Sequence, residues 1–422
     1  MKNYPENWFT QAKYGLFIHF GLYSLLAGEY KGERTRGLAE WILNNADIPL
    51  SEYRALASKF NPTNFNADEI CQKAKEWGMR YVCLTSKHHD GFALYDSKVS
   101  DYNSVKASPC KRDFVRELSE ACHKYDLIFC LYYSQAQDWD DKDGYRAYHD
   151  NSQKQFERYF YGKCLPQVKE LLTNYGPLGM LWFDTPMGMT LEQSKELRET
   201  VKKIQPDCLI SGRIGHGQSD FLSTQDNRIP SHPIEKLWEV AGTMNDSWGY
   251  KYYDHNWQSA ETVVHKLLRV VARGGNYLLN VGPDGSGKIP AACVKELDKA
   301  GKWLKRAADS IYATKTLPLY VYEVPNYCFT ARTHKLYITF FAPQNLKGSS
   351  VDIPNIANNL TDAKWLNLST EMLGSVKAQV KQTKTLEGDP CYIVTFPTEF
   401  SQELALTLEL SLAEADYMQE EL

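Results

Sequence analysis

The sequence predicts an α/β protein, a TIM-like (β/α) barrel followed by a C-terminal antiparallel β-sandwich. Three observations predict it. Short, nearly continuous apolar runs recur through the first three quarters of the chain, with amphipathic helical stretches between them. That is the pattern of parallel strands buried on both faces. Near residue 315 the alternation gives way to short β-rich runs separated by turn residues. The chain has 422 residues, too many for one ordinary core, so a large barrel with a smaller domain is the natural division.

The apolar runs lie at 14–20, 81–85, 127–132, 179–183, 208–211 and 276–281. Between them, residues 66–77 read as a helix, with Gly78 where a left-handed terminal glycine would stand. Residues 113–124 read likewise, with Asp113 as N-cap. Stretches 191–203 and 261–273 repeat the pattern, the second stopped by Gly274-Gly275. Strands alternating with helices of this length indicate βα units. The later β-rich runs are 319–324, 335–341, 350–353, 392–396 and 404–410. The predicted domains are therefore 1–315, the barrel, and 316–422, the sandwich. The polar tail at Gln419, Glu420 and Glu421 reads as a frayed end.

Net charge is −4 and no Lys/Arg block stands out, which argues against nucleic acid or an anionic membrane as partner. No apolar stretch follows Met1, so neither a signal peptide nor a membrane span is expected. The ten cysteines run from Cys71 to Cys391 without a C-x-x-C pair. That argues against a structural zinc and a disulfide framework, and a cytoplasmic location is expected. The 27 Tyr and 10 Trp suit a large core, and equally a sugar site, where flat ring faces pack against a pyranose.

In a parallel barrel the active site lies at the C-terminal ends of the strands. The polar residues ending the apolar runs are His19, the cluster Lys87-His88-His89-Asp90, Tyr132-Tyr133-Ser134, Asp184 and Arg213. Folding alone does not require such residues at five successive strand ends. Asp184 closes Leu-Trp-Phe-Asp, and a carboxylate flanked by aromatics at a barrel mouth suits a glycosidase nucleophile. Its bland alternative is a helix N-cap. His88-His89 invites a metal, but adjacent strand residues face opposite ways and no third ligand stands at zinc-like spacing. No metal or cofactor is expected. The string from Gly282 to Lys288 is followed by Ile289 rather than Ser or Thr, so it reads as a turn and not a phosphate-binding loop.

Several segments are more specific. They are Phe-Ile-His19-Phe-Gly, Glu40-Trp41, Ser-Lys-His88-His89-Asp-Gly-Phe, Leu-Tyr132-Tyr-Ser, Leu-Trp182-Phe-Asp184 and Gly-Arg213-Ile-Gly. Leu-Trp238-Glu239, Ser-Trp248-Gly-Tyr and Arg-Gly-Gly-Asn276-Tyr-Leu-Leu-Asn-Val-Gly-Pro-Asp-Gly follow in order. Together they resemble glycoside hydrolase family 29 from about residue 7 to 315. The resemblance implies an exo-acting, retaining α-L-fucosidase whose partner is a fucosylated oligosaccharide or glycoconjugate. It implies Asp184 as nucleophile, and His19, Glu40, Trp41, His88, His89, Tyr132, Trp182 and Arg213 around the fucose. Trp248 would meet the C5 methyl group. Gly-Arg-Ile-Gly and Asn-Asp-Ser-Trp-Gly-Tyr resemble the branch acting on α-1,3/1,4 linkages.

A retaining glycosidase needs a second carboxyl about 5–5.5 Å from the first. The resemblance implies a glutamate shortly before an Ile-Pro pair, and Arg228 stands there instead. Asp226 is the first candidate for the acid/base and Glu239 the second; Asp220 reads as structural. If the group is lost altogether, the chain becomes a fucose-binding, lectin-like protein with impaired catalysis.

Overall fold

The computed structural model describes residues 4–317, 326–354, 356–368 and 377–416. Eight parallel strands form one sheet: β1 Tyr14–Ile18, β2 Tyr81–Lys87, β3 Ile128–Ser134, β4 Met180–Asp184, β5 Leu209–Ile210, β6 Leu222–Ser223, β7 Trp238–Thr243 and β8 Asn276–Val281. Their order is β5-β4-β3-β2-β1-β8-β7-β6. The two edge strands are consecutive in the chain, so the sheet curls until its edges meet. At this seam Asp220 N donates to Ile210 O at 2.9 Å, and the Asp220 carboxylate accepts from Ile210 N at 2.9 Å. Gly212 N donates to Ser223 Oγ at 3.1 Å. Arg198 and Lys202 hold the same carboxylate at 2.8 and 2.7 Å, which gives Asp220 the structural role its sequence position suggests.

Side-chain alternation sorts the strands into two layers. Phe17, Tyr81, Cys83, Cys130, Tyr132, Met180, Trp182 and Leu278 form an inner cluster, completed by Trp8, Phe9 and Ala12 of the short helix preceding β1. Leu16, Ile18, Val82, Leu84, Leu131 and Phe183 belong to the larger outer core with the helices. Gly15 is inner-facing, and a Cβ there would lie 2.4 Å from the Tyr81 ring; only glycine leaves that ring its place.

The helices are α1 Ala67–Glu76, α2 Phe114–Lys124, α3 Leu165–Asn174, α4 Leu191–Ile204, α5 Ala260–Ala272 and α6 Ala291–Ala307. Asn66 and Asp113 cap α1 and α2 by accepting from Glu69 N at 3.2 Å and Arg116 N at 2.9 Å. Thr190 and Gln193 form a capping box on α4. Gly78 takes φ 86°, the left-handed geometry expected of it, and Gly274, which follows the end of α5, takes 84°.

Later strands are antiparallel: β9 Tyr327–Arg332, β10 Lys335–Phe341, β11 Ser350–Pro354, β12 Leu360–Trp365, β13 Gln379–Lys384, β14 Pro390–Thr395 and β15 Ala405–Leu412. They form a four-stranded sheet, β9-β10-β15-β12, and a three-stranded one, β11-β14-β13. One core joins them, with Leu336, Ile338, Leu408 and Leu410 from the first sheet and Ile353, Tyr392 and Val394 from the second. The run expected at 319–324 and the polar tail from 417 onward lie outside the described residues. Arg306 of α6 binds Glu403 through both Nη atoms, at 2.7 and 2.6 Å, and Trp303 Nε1 donates to Ala405 O at 2.8 Å. These contacts tie the β-rich part to the helical shell. Among the described residues no helix is long and apolar enough to cross a membrane.

Candidate active site

A cavity of about 360 Å³ opens at the C-terminal ends of the strands. His19, Glu40, Trp41, His88, His89, Tyr132, Trp182, Asp184, Arg213, Asp226 and Trp248 all line it. The topology explains the convergence. His19 follows β1, His88 and His89 follow β2, Tyr132 lies on β3, Asp184 ends β4, Arg213 follows β5 and Asp226 follows β6.

Asp184 is 8% exposed. Its Oδ2 accepts from Tyr132 Oη at 3.0 Å and its Oδ1 from Arg213 Nη1 at 3.1 Å. Its backbone N–H donates to Gln135 Oε1 at 2.8 Å, and the next residue, Thr185, is held at φ 49°. A β-branched residue seldom adopts that conformation, and here it turns the chain sharply at the strand end. Burial alone would raise the Asp184 carboxyl; the Arg213 charge and the hydrogen bonds from Arg213 and Tyr132 outweigh it and hold it below the usual carboxylate value.

The other Nη of Arg213 binds Asp226 Oδ1. Asp226 sits on a loop whose geometry is fixed by its neighbour. Asn227 takes φ 59°, which asparagine tolerates better than most residues. Its backbone N–H donates to Ala241 O at 2.9 Å, and its Oδ1 accepts from Thr243 N at 2.9 Å. Both bonds pin the loop to β7. Burial raises the Asp226 carboxyl above its ordinary value in spite of the Arg213 charge, although 39% of its side-chain surface is open. Arg228 is exposed and donates to Gln225 Oε1 at 3.1 Å; it does not line the cavity.

The histidines are neutral. Burial pushes His19 down to about 3 and His89 to about 4, and His88 well below its ordinary value. Asn280 Nδ2 donates to Trp248 O at 2.8 Å, so Asn280 Oδ1 accepts from His19 Nδ1 at 2.6 Å. The free Nε2 is then an acceptor. Ser134 Oγ donates to Gln137 O at 2.8 Å and accepts from His89 Nδ1 at 2.7 Å. His89 Nε2 is thus an acceptor, 3.7 Å from Asp184 Oδ2. Glu40 is 1% exposed, and burial pushes it up to about 7 although Gly249 N donates to its Oε2 at 2.8 Å. Its Oε1 and His88 Nδ1 are buried without a protein partner. Buried polar atoms left unpaired cost roughly 1–3 kcal/mol each, and a polyhydroxylated ligand would satisfy them.

Aromatic rings close the cavity. Tyr132 stacks on Trp182 at 5.8 Å and on His88 at 5.3 Å, and Trp248 lies 5.0 Å from His19. Arg213 lies over the Trp182 ring at 4.9 Å.

Glu239 corrects the sequence expectation. It is the second residue of β7, near the N-terminal end of the strand, so it lies deep in the barrel rather than at the mouth. It is 1% exposed, accepts from Tyr81 Oη at 2.6 Å and Trp182 Nε1 at 2.9 Å, and does not line the cavity. Its place is beneath Trp182, which it orients. Burial pushes its carboxyl from 4.5 up to about 7 against those two hydrogen bonds. The folded state therefore holds a proton that the unfolded chain releases, and Glu239's contribution to stability falls as pH rises from about 4.5 to about 7. Glu40 and Asp90, also pushed up to about 7 by burial, add to that fall. Glu239→Gln is expected to make that fall shallower in thermal unfolding followed against pH, and to keep kcat/KM within about tenfold of wild type. An acid/base residue would lose roughly 10²–10⁴-fold.

Phe17, Thr185, Leu38 and Arg36 also border the cavity, and Asn280, Ser134 and Gln135 orient its histidines and Asp184. Of these, sequence singled out only Ser134, as part of the polar end of its strand. Asn280 had a signal, since it lies inside the Asn-Val-Gly-Pro segment. Among the described residues no group of three His, Cys, Asp or Glu is arranged to hold a metal ion.

Comparison with known proteins agrees with this site. The sequence model of the family described as Alpha-L-fucosidase matches residues 1–309. Plasma α-L-fucosidase of Rattus norvegicus is 34% identical over 340 residues, 73% of this chain and 71% of that protein. The crystal structure of α-L-fucosidase from Vibrio sp. strain EJY3 shares 32% identity at a TM-score of 0.89, covering 97% of this chain and 73% of that one. AlfC from Lactobacillus casei, in complex with α-L-fucose product, shares 44% identity at a TM-score of 0.69, covering 72% of this chain and 99% of that one. With its barrel matched end to end and a carboxylate-bearing pocket at the strand ends, the chain belongs to the α-L-fucosidase family.

Proposed function

We propose that this chain hydrolyses terminal α-linked L-fucose from fucosylated glycans with retention of configuration, Asp184 acting as nucleophile and Asp226 as acid/base. One observation carries the assignment. A single guanidinium, Arg213, binds both carboxylates, while their surroundings drive them apart, Asp184 down and Asp226 up. Two carboxyl groups tuned in opposite directions are the signature of a nucleophile and a proton donor. Retaining enzymes keep the pair about 5–5.5 Å apart, closer than inverting ones, and sharing one guanidinium favours the closer arrangement.

In the first step Asp184 attacks the anomeric carbon from the β face. Asp226 gives its proton to the glycosidic oxygen as the C–O bond breaks. In the second, Asp226 takes a proton from water, whose oxygen attacks the same carbon and releases Asp184. The neutral His19 and His89 accept hydrogen bonds from sugar hydroxyls, and Trp248 packs against the C5 methyl group. A binding protein without catalysis needs neither tuned carboxylate. The test is NMR of the first-formed product: α-L-fucose supports the scheme, and β-L-fucose appearing first sinks it.

Two linkage readings follow from different observations. The Gly-Arg-Ile-Gly and Asn-Asp-Ser-Trp-Gly-Tyr motifs support α-1,3/1,4. The 44%-identical AlfC has been solved, as a variant, in complex with Fucα(1,6)GlcNAc, which supports α-1,6. Parallel rates on a Lewis-type trisaccharide and on Fucα(1,6)GlcNAc separate the two.

A further inference from the structure

At the rim of the cavity one aromatic residue stands apart from all others in the pocket. Tyr148 is 91% exposed, yet it borders the cavity and its ring lies 6.1 Å from that of Trp41, tilted by 53°. Trp41 continues inward to His89 at 5.0 Å. The two rings therefore form a path from the fucose pocket to solvent.

The turn that presents Tyr148 is built, not loose. Arg146 Nε donates to Asn44 Oδ1 at 2.8 Å, and Asn44 Nδ2 donates to Ala147 O at 3.3 Å. Ala147 N donates to Gln137 Oε1 at 3.0 Å. Asn151 closes the turn, accepting from Arg146 N at 2.9 Å and donating to Arg146 O at 3.0 Å. Asn44 lies three residues beyond Trp41, so the same segment fixes both rings. Within this turn Tyr148 takes φ 67°, a left-handed conformation that bulky residues rarely adopt. Strain of this kind persists where the surroundings enforce it, and it clusters at ligand-binding sites. Folding gains little from a large ring held in water by a strained backbone, because the ring buries almost nothing.

We infer that Tyr148, with Trp41, is the stacking platform for the leaving-group sugar, a pyranose such as N-acetylglucosamine or galactose, and so a specificity-determining residue of this enzyme. The inference rests on the fucosidase reading above. The fucose ring occupies the closed pocket, so the next ring must lie at the mouth, where a tyrosine face offers an apolar surface to its C–H face.

The experiment compares α-L-fucosyl fluoride, which has no second ring, with a fucosylated disaccharide, using wild type, Tyr148→Ala and Tyr148→Phe. Tyr148→Ala keeps the strained backbone and removes the ring. The ratio of kcat/KM for disaccharide over fluoride should fall about tenfold in Tyr148→Ala, mostly through KM, and hold in Tyr148→Phe. A ratio unchanged in Tyr148→Ala, because both substrates are equally affected or neither is, overturns the platform alone. A wild type inactive on fucosyl fluoride overturns the fucosidase reading, and the platform with it.

Discussion

Asp184→Ala should leave less than about 10⁻⁴ of the wild-type kcat/KM on an aryl α-L-fucoside, and added azide should restore turnover with β-L-fucosyl azide as product. The size follows from what the side chain does. In the proposed scheme it forms the covalent bond, and Tyr132 and Arg213 already hold both its oxygens in place at 3.0 and 3.1 Å. A small anion entering the space left by the carboxylate attacks from the same face, which fixes the β configuration. A loss of tenfold or less, or an azide adduct of α configuration, would remove Asp184 from the nucleophile's role.

Asp226→Ala should separate substrates by their leaving groups. A disaccharide depends on proton donation to its departing oxygen and should lose about 10³-fold in kcat/KM. A nitrophenyl fucoside leaves without that help and should lose tenfold or less in the same parameter. Its second step still lacks a base, so the fucosyl-enzyme should accumulate, and azide should accelerate turnover with α-L-fucosyl azide as product. Arg213 sharpens the comparison. Losing Asp226 leaves Nη2 bonded to Thr224 O, while the Nη1 bond to Asp184 does not involve Asp226. Equal losses on both substrates would mean that Asp226 shapes the pocket rather than moving protons.

What the sequence made legible was local. Asp113 caps its helix through a bond to a residue three positions on, and such a bond leaves a readable pattern. His19, His88, Tyr132 and Asp184 were visible because each ends or follows an apolar run that must be a buried strand. Glu239 misled because a strand's opening residues cannot be told from the end of a loop by composition; only when β7 begins at Trp238 does its carboxyl fall deep in the barrel. β6 is two residues long and has no apolar run, so the loop carrying Asp226 had no strand to register against. Tyr148 lies in a polar stretch without periodicity, and only the turn held by Asn44, Asn151 and Gln137 brings it to the rim.

The seam between β5 and β6 bears on this. Every other neighbour in the sheet is laddered by backbone bonds, where a one-residue slip would turn a whole strand inside out. Here the join is stitched largely by the Asp220 carboxylate and the Ser223 hydroxyl. Arg213 follows one of these edge strands and Asp226 the other. Beyond Ser223 the chain is held instead to β7, at Thr224 and at Asn227. The proposed proton donor thus takes its register from β7 alone, while the proposed nucleophile ends a strand paired on both sides.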